Sequence, residues 1–127
     1  MGDRLILEIP SDWWMSSNSR MHWAPKARRT DWLRSFARLQ AKAQHLDRCR
    51  GPVLVTCWVQ FPTRGRADPA NAYPVVKAII DGLTDAHIWP DDDSEHVIGP
   101  DMRRKPGAAG KGKHIVELVL TDQYVPF

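Results

Sequence analysis

Apolar and polar residues alternate in several stretches of the chain, and each alternation predicts a β-strand. Arg4–Ile9 predicts the first strand, with every second residue apolar. Val53–Phe61 predicts a central strand because both of its faces are apolar, and Cys57 within it is then a buried thiol rather than a nucleophile. Glu95–Lys105 and Lys113–Thr121 predict a hairpin near the end of the chain.

Apolar residues recur at steps of three and four in two further stretches, which predicts two helices. The first runs from Pro25 to about Leu46, and its core-facing stripe is Trp32, Phe36, Leu39, Ala43 and Leu46. The second runs from near Pro74 to Ala86, and its apolar stripe is Val76, Ile79, Ile80 and Leu83. Residues 69–73 form an irregular or single-turn entry, because a proline well inside a helix costs about 3 kcal/mol. Gly82 weakens the second helix slightly and suggests close packing there.

The resulting order, β-α-β-α-β-β, predicts an α+β fold in which two helices pack on one face of a small sheet. The length of 127 residues is that of one domain, spanning 1–127. The pattern leaves the order of the strands open. Three tryptophans in the polar segment after the first strand require burial, either against the core or against a partner chain: Trp13, Trp14 and Trp23.

The composition is that of a globular protein, with 43% hydrophobic and 26% charged residues. Two cysteines outside any C-x-x-C pair fit a reducing compartment, and we find no signal peptide and no run of transmembrane length. We therefore expect a cytoplasmic protein with no membrane partner. The glycine-rich loop after Pro106 lacks the order of a phosphate-binding P-loop, so we expect no nucleotide cofactor.

Charge is unevenly distributed along the chain. Residues 81–101 contain seven acidic residues and no Lys or Arg, a net charge of −7. The whole chain carries +3, so the remaining residues carry +10. A basic surface of this kind permits a polyanionic partner, and a cation bridging the acidic segment to phosphate would explain the concentration of carboxylates.

The strand end, the following helix and the loop after it can bring Asp68 towards Asp91–Asp93. Oxygen-only ligands suit Mg²⁺ or Mn²⁺ rather than zinc. Lys77 lies on the same helix, one turn before Asp81. Each residue also has a structural explanation, since Asp68 can cap a helix beginning at Pro69 and Asp91–Asp93 can form a solvated turn. Asp81 can likewise pair with Lys77 four residues earlier.

Two groups of cations are candidates for contact with phosphate. Arg34, Arg38 and Lys42 recur every four residues and form either a solvated face or a ridge that follows a phosphate backbone. The loop that begins at Pro106 is either a mobile basic tongue that orders on DNA or, more simply, a plain hairpin tip. The cations in and around this loop are Arg103, Arg104, Lys105, Lys111 and Lys113.

The order of these residues resembles the RusA-type Holliday junction resolvases. The family pattern is D-x-D-N, a Lys on the following helix, D-A-L and a closing D-D. The matching positions are Asp68-Pro-x-Asn71, Lys77, Asp81-Gly-Leu-Thr and Trp89-Pro-Asp91-Asp92, preceded by Asn18-Ser-Arg20-Met-His22. The resemblance covers most of the chain but departs from the pattern twice. Ala70 stands where the family has its second aspartate, and the interval from Asn71 to Lys77 is longer and contains Pro74.

The resemblance implies a RusA-like mixed sheet and a Mg²⁺-dependent, structure-selective endodeoxyribonuclease that resolves Holliday junctions by paired nicks in recombination and repair. Mn²⁺ would substitute for Mg²⁺. It also implies a homodimer, since a four-way junction has near two-fold symmetry and a dimer presents two sites to it. A phage or prophage origin, in the cytoplasm of a bacterial host, is implied by the resemblance alone.

The resemblance and the pattern together assign residues to roles. The catalytic residues are Asp68, Lys77 and Asp92, and the metal ligands are Asp68, Asp81, Asp91 and Asp92. The DNA-binding residues are Arg20, His22, Arg34, Arg38, Lys42, Arg64, Arg66, Asn71, Arg103, Arg104, Lys105, Lys111 and Lys113. The alternative is a junction-binding protein with weakened or lost cleavage, because Ala70 removes a ligand. A generic basic protein with an acidic turn would require the resemblance to be chance.

Overall fold

Four strands and two helices follow one another in the predicted order in the computed structural model, which describes residues 3–123. Short 3₁₀ turns precede each helix, at Ser11–Trp13 and Pro69–Ala72. The elements are β1 (Arg4–Pro10), α1 (Trp23–Ala43), β2 (Val53–Gln60), α2 (Tyr73–Asp85), β3 (Val97–Arg104) and β4 (Lys113–Asp122). The chain is therefore a small α+β domain, as predicted, and neither helix is long and apolar enough to cross a membrane within the described residues.

The sheet has the strand order β1-β4-β2-β3. β4 is antiparallel to both β1 and β2, whereas β2 and β3 are parallel, so the sheet is mixed. The predicted hairpin of the last two strands is wrong, because β2 lies between them. A strand that is apolar on both faces is most stable inside the sheet with both edges paired, and β2 takes that position.

One face of the sheet forms the core with both helices. Alternate residues of β1 and β2 are fully buried, and the predicted stripe of α2 is buried with them in one hydrophobic cluster. Cys57 is buried as predicted, and burial raises the pKa of its thiol to about 12, so it is not a nucleophile.

The core-facing side of α1 differs from the predicted one. In the predicted stripe, Leu39 and Ala43 are exposed, and Trp32 and Phe36 are half-buried. The buried residues of the helix are instead Leu33, Ala37 and Ala41, while Leu46 is buried beyond its end. Gly82 of α2 faces this side, and a Cβ placed on it would lie 3.0 Å from the Cβ of Ala37. Close contact between the helices selects small residues, whereas the prediction followed the large ones.

The polar segment after β1 places its tryptophans in different environments. Trp13 stacks on Trp32 at 4.9 Å between ring centroids, and Trp14 stacks on His114 at 3.7 Å. His114 is buried, its Nδ1 has no hydrogen-bond partner among the described residues, and burial lowers its pKa to about 4. Trp23 is 82% exposed, so it is not buried against the core, which was one of the two environments predicted for it.

Candidate functional site

The connection from β2 to α2 positions the first predicted site residue. Oδ1 of Asp68 accepts a hydrogen bond from the backbone N–H of Ala70 at 2.9 Å, and Pro69 follows as the first residue of the 3₁₀ turn. This is the capping role that was the structural explanation for Asp68. The turn leads directly into α2, where Pro74 lies in the first helical turn and therefore breaks no hydrogen bond. The predicted irregular entry to the helix is confirmed.

Lys77 of α2 holds two of the predicted aspartates together. Its Nζ lies 2.8 Å from Oδ1 of Asp81 and 2.8 Å from Oδ2 of Asp92. We call these three side chains the Lys77 cluster. About half of the Lys77 side chain is exposed, and about a quarter of each carboxylate side chain. The cluster is thus a surface site assembled from one helix and the loop that follows it.

The loop after α2 returns because two large apolar residues anchor it. Ile88 and Trp89 are buried, and Nε1 of Trp89 donates a 2.7 Å hydrogen bond to Oγ1 of Thr84 near the helix end. The backbone N–H of Asp92 then donates to Oδ1 of Asp91 at 2.8 Å. The chain reversal therefore places Asp92 beside α2, although it lies 15 residues from Lys77 in the sequence.

The contacts within the cluster fix the charge states of its members. The hydrogen bonds that Lys77 donates to Asp81 and Asp92 raise the pKa of its ammonium above the ordinary range. The hydrogen bond from Lys77 lowers the pKa of Asp92, and this effect outweighs the partial burial that would raise it. The Lys77 ammonium and the Asp92 carboxylate are consequently both charged at neutral pH.

The predicted metal ligands do not form a metal-binding group in this arrangement. Asp81 and Asp92 meet, but the cation between them is the Lys77 ammonium. The carboxylate of Asp91 accepts the backbone N–H of its neighbour, and that of Asp68 is engaged in its cap. Among residues 3–123 no group of three or more His, Cys, Asp and Glu side chains could hold a metal ion. Of the four predicted ligands, the structure thus brings Asp81 and Asp92 together around Lys77.

The predicted cationic ridge on α1 divides into two parts. The Arg34 guanidinium donates two hydrogen bonds to the carboxylate of Asp85, at 2.5 and 2.8 Å, and these raise its pKa above the ordinary range. Arg38 and Lys42 are exposed and form no ion pair within the part of the chain that the structure describes. Arg34 therefore joins α1 to α2, and only the other two cations are available to a partner. The sequence missed Asp85 because its partner lies 51 residues away.

The segment between β3 and β4 crosses the end of β2. The backbone N–H of Ala109 donates to the carbonyl of Phe61 at 2.8 Å, and that of Gly110 donates to Pro62 at 3.2 Å. The segment is therefore neither a hairpin tip nor a free tongue, because it is attached to the strand that it crosses. Lys111 within it is exposed and has no ion pair among the described residues.

Most cations beside this crossover already have partners in the fold. Arg103, Lys105 and Lys113 are each bound to a carboxylate, and Arg104 is bound to backbone carbonyls. The pairs are Arg103 with Asp101 at 2.9 Å, Lys105 with Glu117 at 3.3 Å, Lys113 with Glu8 at 2.9 Å, and Arg104 with the carbonyl of Gly65 at 2.6 Å. The count of cations in the sequence therefore overstates how many of them remain available to bind phosphate in the folded protein.

The N-terminal segment approaches the turn that Asp68 caps. The backbone N–H and the hydroxyl of Ser17 both donate to the carbonyl of Asn71, at 2.9 and 3.4 Å. This contact places the segment containing Arg20 and His22, both exposed, beside Asn71. Arg64 and Arg66 on the other side of Asp68 are also exposed and form no ion pair within residues 3–123. No sequence signal singled out Ser17, whose role depends on a tertiary contact.

The fold and the site define a small α+β protein with a carboxylate-paired lysine on its surface. The chain matches no protein-family model and no curated protein. The resemblance to the RusA-type resolvases therefore rests on the residues that carry it.

Proposed function

We propose that the chain is a structure-selective endodeoxyribonuclease of the RusA type that resolves Holliday junctions by paired nicks. The observation that supports this proposal best is the Lys77 cluster. Three positions of the family-like pattern, Lys77, Asp81 and Asp92, contact one another although they span 15 residues of sequence. Because the Lys77 side chain is about half exposed, a phosphodiester can approach the charges of this cluster.

Within the cluster, Lys77 is the group that can stabilise charge developing on a phosphate. Its ammonium has three donors, and two of them are engaged by carboxylates. The third donor, or one released by a carboxylate, can bind a phosphate oxygen. The carboxylates repel the phosphate, so binding requires cations elsewhere on the surface, and those exposed without ion pairs in the described chain include Arg38, Lys42, Arg64, Arg66 and Lys111.

A second candidate is a junction-binding protein with weakened or lost cleavage. Two observations favour it, namely Ala70 at the position of an expected aspartate and the ammonium of Lys77 between the two carboxylates that meet. The resemblance implies Mg²⁺, with Mn²⁺ as a substitute, whereas the cation that Asp81 and Asp92 share here is the Lys77 ammonium. Junction recognition needs only the shape and the phosphates of the DNA, and it does not depend on a bound metal.

We also propose that the functional form is a homodimer bound to branched DNA. The near two-fold symmetry of a four-way junction matches the symmetry of a dimer with one site in each subunit. Paired nicks require two sites of this kind. Sedimentation of the purified chain alone and with one equivalent of junction tests this assembly, and a 1:1 complex of monomer and junction would contradict it.

The experiment that tests the function uses an end-labelled four-way junction and a linear duplex of matched sequence, each with Mg²⁺, Mn²⁺ or EDTA. Symmetrical nicks in the junction alone support the nuclease. Selective binding without nicks supports the junction-binding protein, and absence of both contradicts the two proposals. Asp92→Asn is the informative variant, and Glu95→Gln is its matched control. Glu95 is exposed and lies outside the Lys77 cluster, so Glu95→Gln removes one negative charge from the same acidic segment without changing the cluster.

A further inference from the structure

Trp23 is the first residue of α1 and has the most exposed large hydrophobic side chain in the described part of the chain. Its side chain is 82% exposed, whereas the next such residue, Leu39, is 56% exposed. The other five tryptophans are buried or half-buried: Trp13, Trp14, Trp32, Trp58 and Trp89. The large apolar surface of an indole is normally removed from water, so Trp23 is a surface that a partner would cover.

The charge around Trp23 restricts the chemistry of that partner. Residues 13–30 contain four cations, Arg20, Lys26, Arg28 and Arg29, and no Asp or Glu. The first three are exposed and form no ion pair within residues 3–123, while Nη1 of Arg29 donates to the carbonyl of Trp14. An exposed aromatic ring in a basic segment matches a ligand with flat apolar faces and negative charges, which is the chemistry of a nucleic acid.

A second copy of this chain fits the same surface less well. A two-fold contact centred on Trp23 would bring each basic segment against its own copy, and like charges in contact oppose association. A strand of DNA supplies the opposite charge at regular intervals, together with bases on which the indole can stack. The charge complementarity therefore favours DNA.

The surface adjoins the turn that Asp68 caps. Ser17 is hydrogen-bonded to the carbonyl of Asn71, and a small cavity of about 70 Å³ is lined both by the segment from Met15 to Lys26 and by Pro74 in the first turn of α2. Trp23 belongs to the same first turn of α1 as Lys26. A partner at the entry to α2 therefore lies against the segment that carries Trp23.

We propose that Trp23 stacks on a nucleobase at the branch point of a DNA junction, with Arg20, Lys26 and Arg28 on the surrounding phosphates. Bases at a branch point lack one stacking neighbour, so an aromatic side chain can take its place. This inference rests on the proposed recognition of branched DNA but not on cleavage. The stacking of one base on an aromatic ring corresponds to roughly a 5- to 150-fold change in affinity.

The experiment measures binding in EDTA to a four-way junction that carries 2-aminopurine at the branch point, and to a linear duplex that carries the same base. We expect Trp23→Ala to weaken junction binding roughly 5- to 150-fold and to change duplex binding much less. Binding of the unsubstituted chain should alter the 2-aminopurine fluorescence at the branch, and Trp23→Ala should lose that signal. Trp23→Phe should restore most of both, because it keeps an aromatic face. Leu39→Ala, an exposed apolar truncation elsewhere on α1, is the matched control and should change neither.

Three results would overturn the inference. The first is junction binding by Trp23→Ala equal to that of the unsubstituted chain, and the second is an equal loss on junction and duplex. The third is conversion of a dimer to a monomer by Trp23→Ala in sedimentation, which would assign the surface to a second copy. An unsubstituted chain with no preference for the junction contradicts the proposed function and this inference together, whereas a preference unaffected by Trp23→Ala contradicts the inference alone.

Discussion

The close contact between the two helices makes Gly82→Ala the sharpest test of the packing. A Cβ at this position would overlap the backbone carbonyl oxygen of Arg34 and lie 3.0 Å from the Cβ of Ala37. Alanine gains about 1 kcal/mol over glycine from helix propensity, but overpacking costs about 1–3 kcal/mol and is most severe against backbone. Because the atom that the Cβ would overlap belongs to the backbone, we take the upper part of that range, about 2–3 kcal/mol, and expect a net loss of about 1–2 kcal/mol, which lowers the melting temperature of a chain of this size by roughly 4–10 °C.

Thermal and urea unfolding followed by circular dichroism measure this effect. Gly65→Ala is the matched control, because its loop is exposed and its new Cβ would meet only the side-chain hydroxyl of Thr63, at 3.3 Å. Ala37→Gly itself costs about 1 kcal/mol of helix propensity and leaves the Arg34 carbonyl in place, so the double variant with Gly82→Ala should be no more stable than Gly82→Ala alone. A Gly82→Ala chain at least as stable as the unsubstituted one would refute the reasoning, and full recovery in the double variant would show that the carbonyl is not the obstacle.

Three further predictions concern the charged groups. The resemblance makes Asp92 a catalytic residue and metal ligand, so Asp92→Asn should abolish nicking. The same change removes a negative charge that repels phosphate, so gel-shift binding should be retained or increased; nicking at the unsubstituted rate would contradict the catalytic role. Arg38→Ala should reduce the slope of the log–log salt dependence of junction binding by roughly one unit. Arg34→Ala should instead lower the melting temperature and leave that slope unchanged, because Arg34 is bound to Asp85. Equal slopes for Arg38→Ala and the unsubstituted chain would show that Arg38 belongs to a solvated face and does not contact phosphate. Burial lowers the pKa of His114 from 6.5 to about 4 in the folded chain. The unfolded chain therefore takes up the proton first, and the free energy of unfolding should decrease by up to about 3 kcal/mol as the pH falls between those values. His114→Phe should show a smaller decrease in melts at pH 7, 5.5 and 4, and an identical decrease would exclude this role.

Local sequence determined where the regular elements lie. The alternation within β1 and β2 and the stripe of α2 are each complete within about a dozen residues, and the structure places those apolar side chains in the core. The buried Cys57 and the entry turn before α2 follow from the same local rules, since strand periodicity buries the thiol and a proline is compatible only with the start of a helix. Periods of two and of 3.6 residues are properties of the backbone, so no tertiary information was needed.

The tertiary structure alone decided the strand order and the inner face of α1. Every strand has two edges, and β3 pairs with β2 because both edges of β4 are taken by β1 and β2. The face of α1 that packs against the core carries the small residues Ala37 and Ala41, which allow α2 to approach closely. The large apolar side chains of the predicted stripe, Trp32, Phe36 and Leu39, are half-buried or exposed.

The candidate site was divided in the same way between sequence and fold. The sequence identified Lys77, Asp81 and Asp92 as residues of interest, but only the return of the loop on Trp89 brought Asp92 to the ammonium. It also counted Arg34 as available to DNA, and the fold binds that guanidinium to a carboxylate 51 residues away. Charges act through space, and their partners are set by the packing of helices and loops against one another rather than by spacing along the chain.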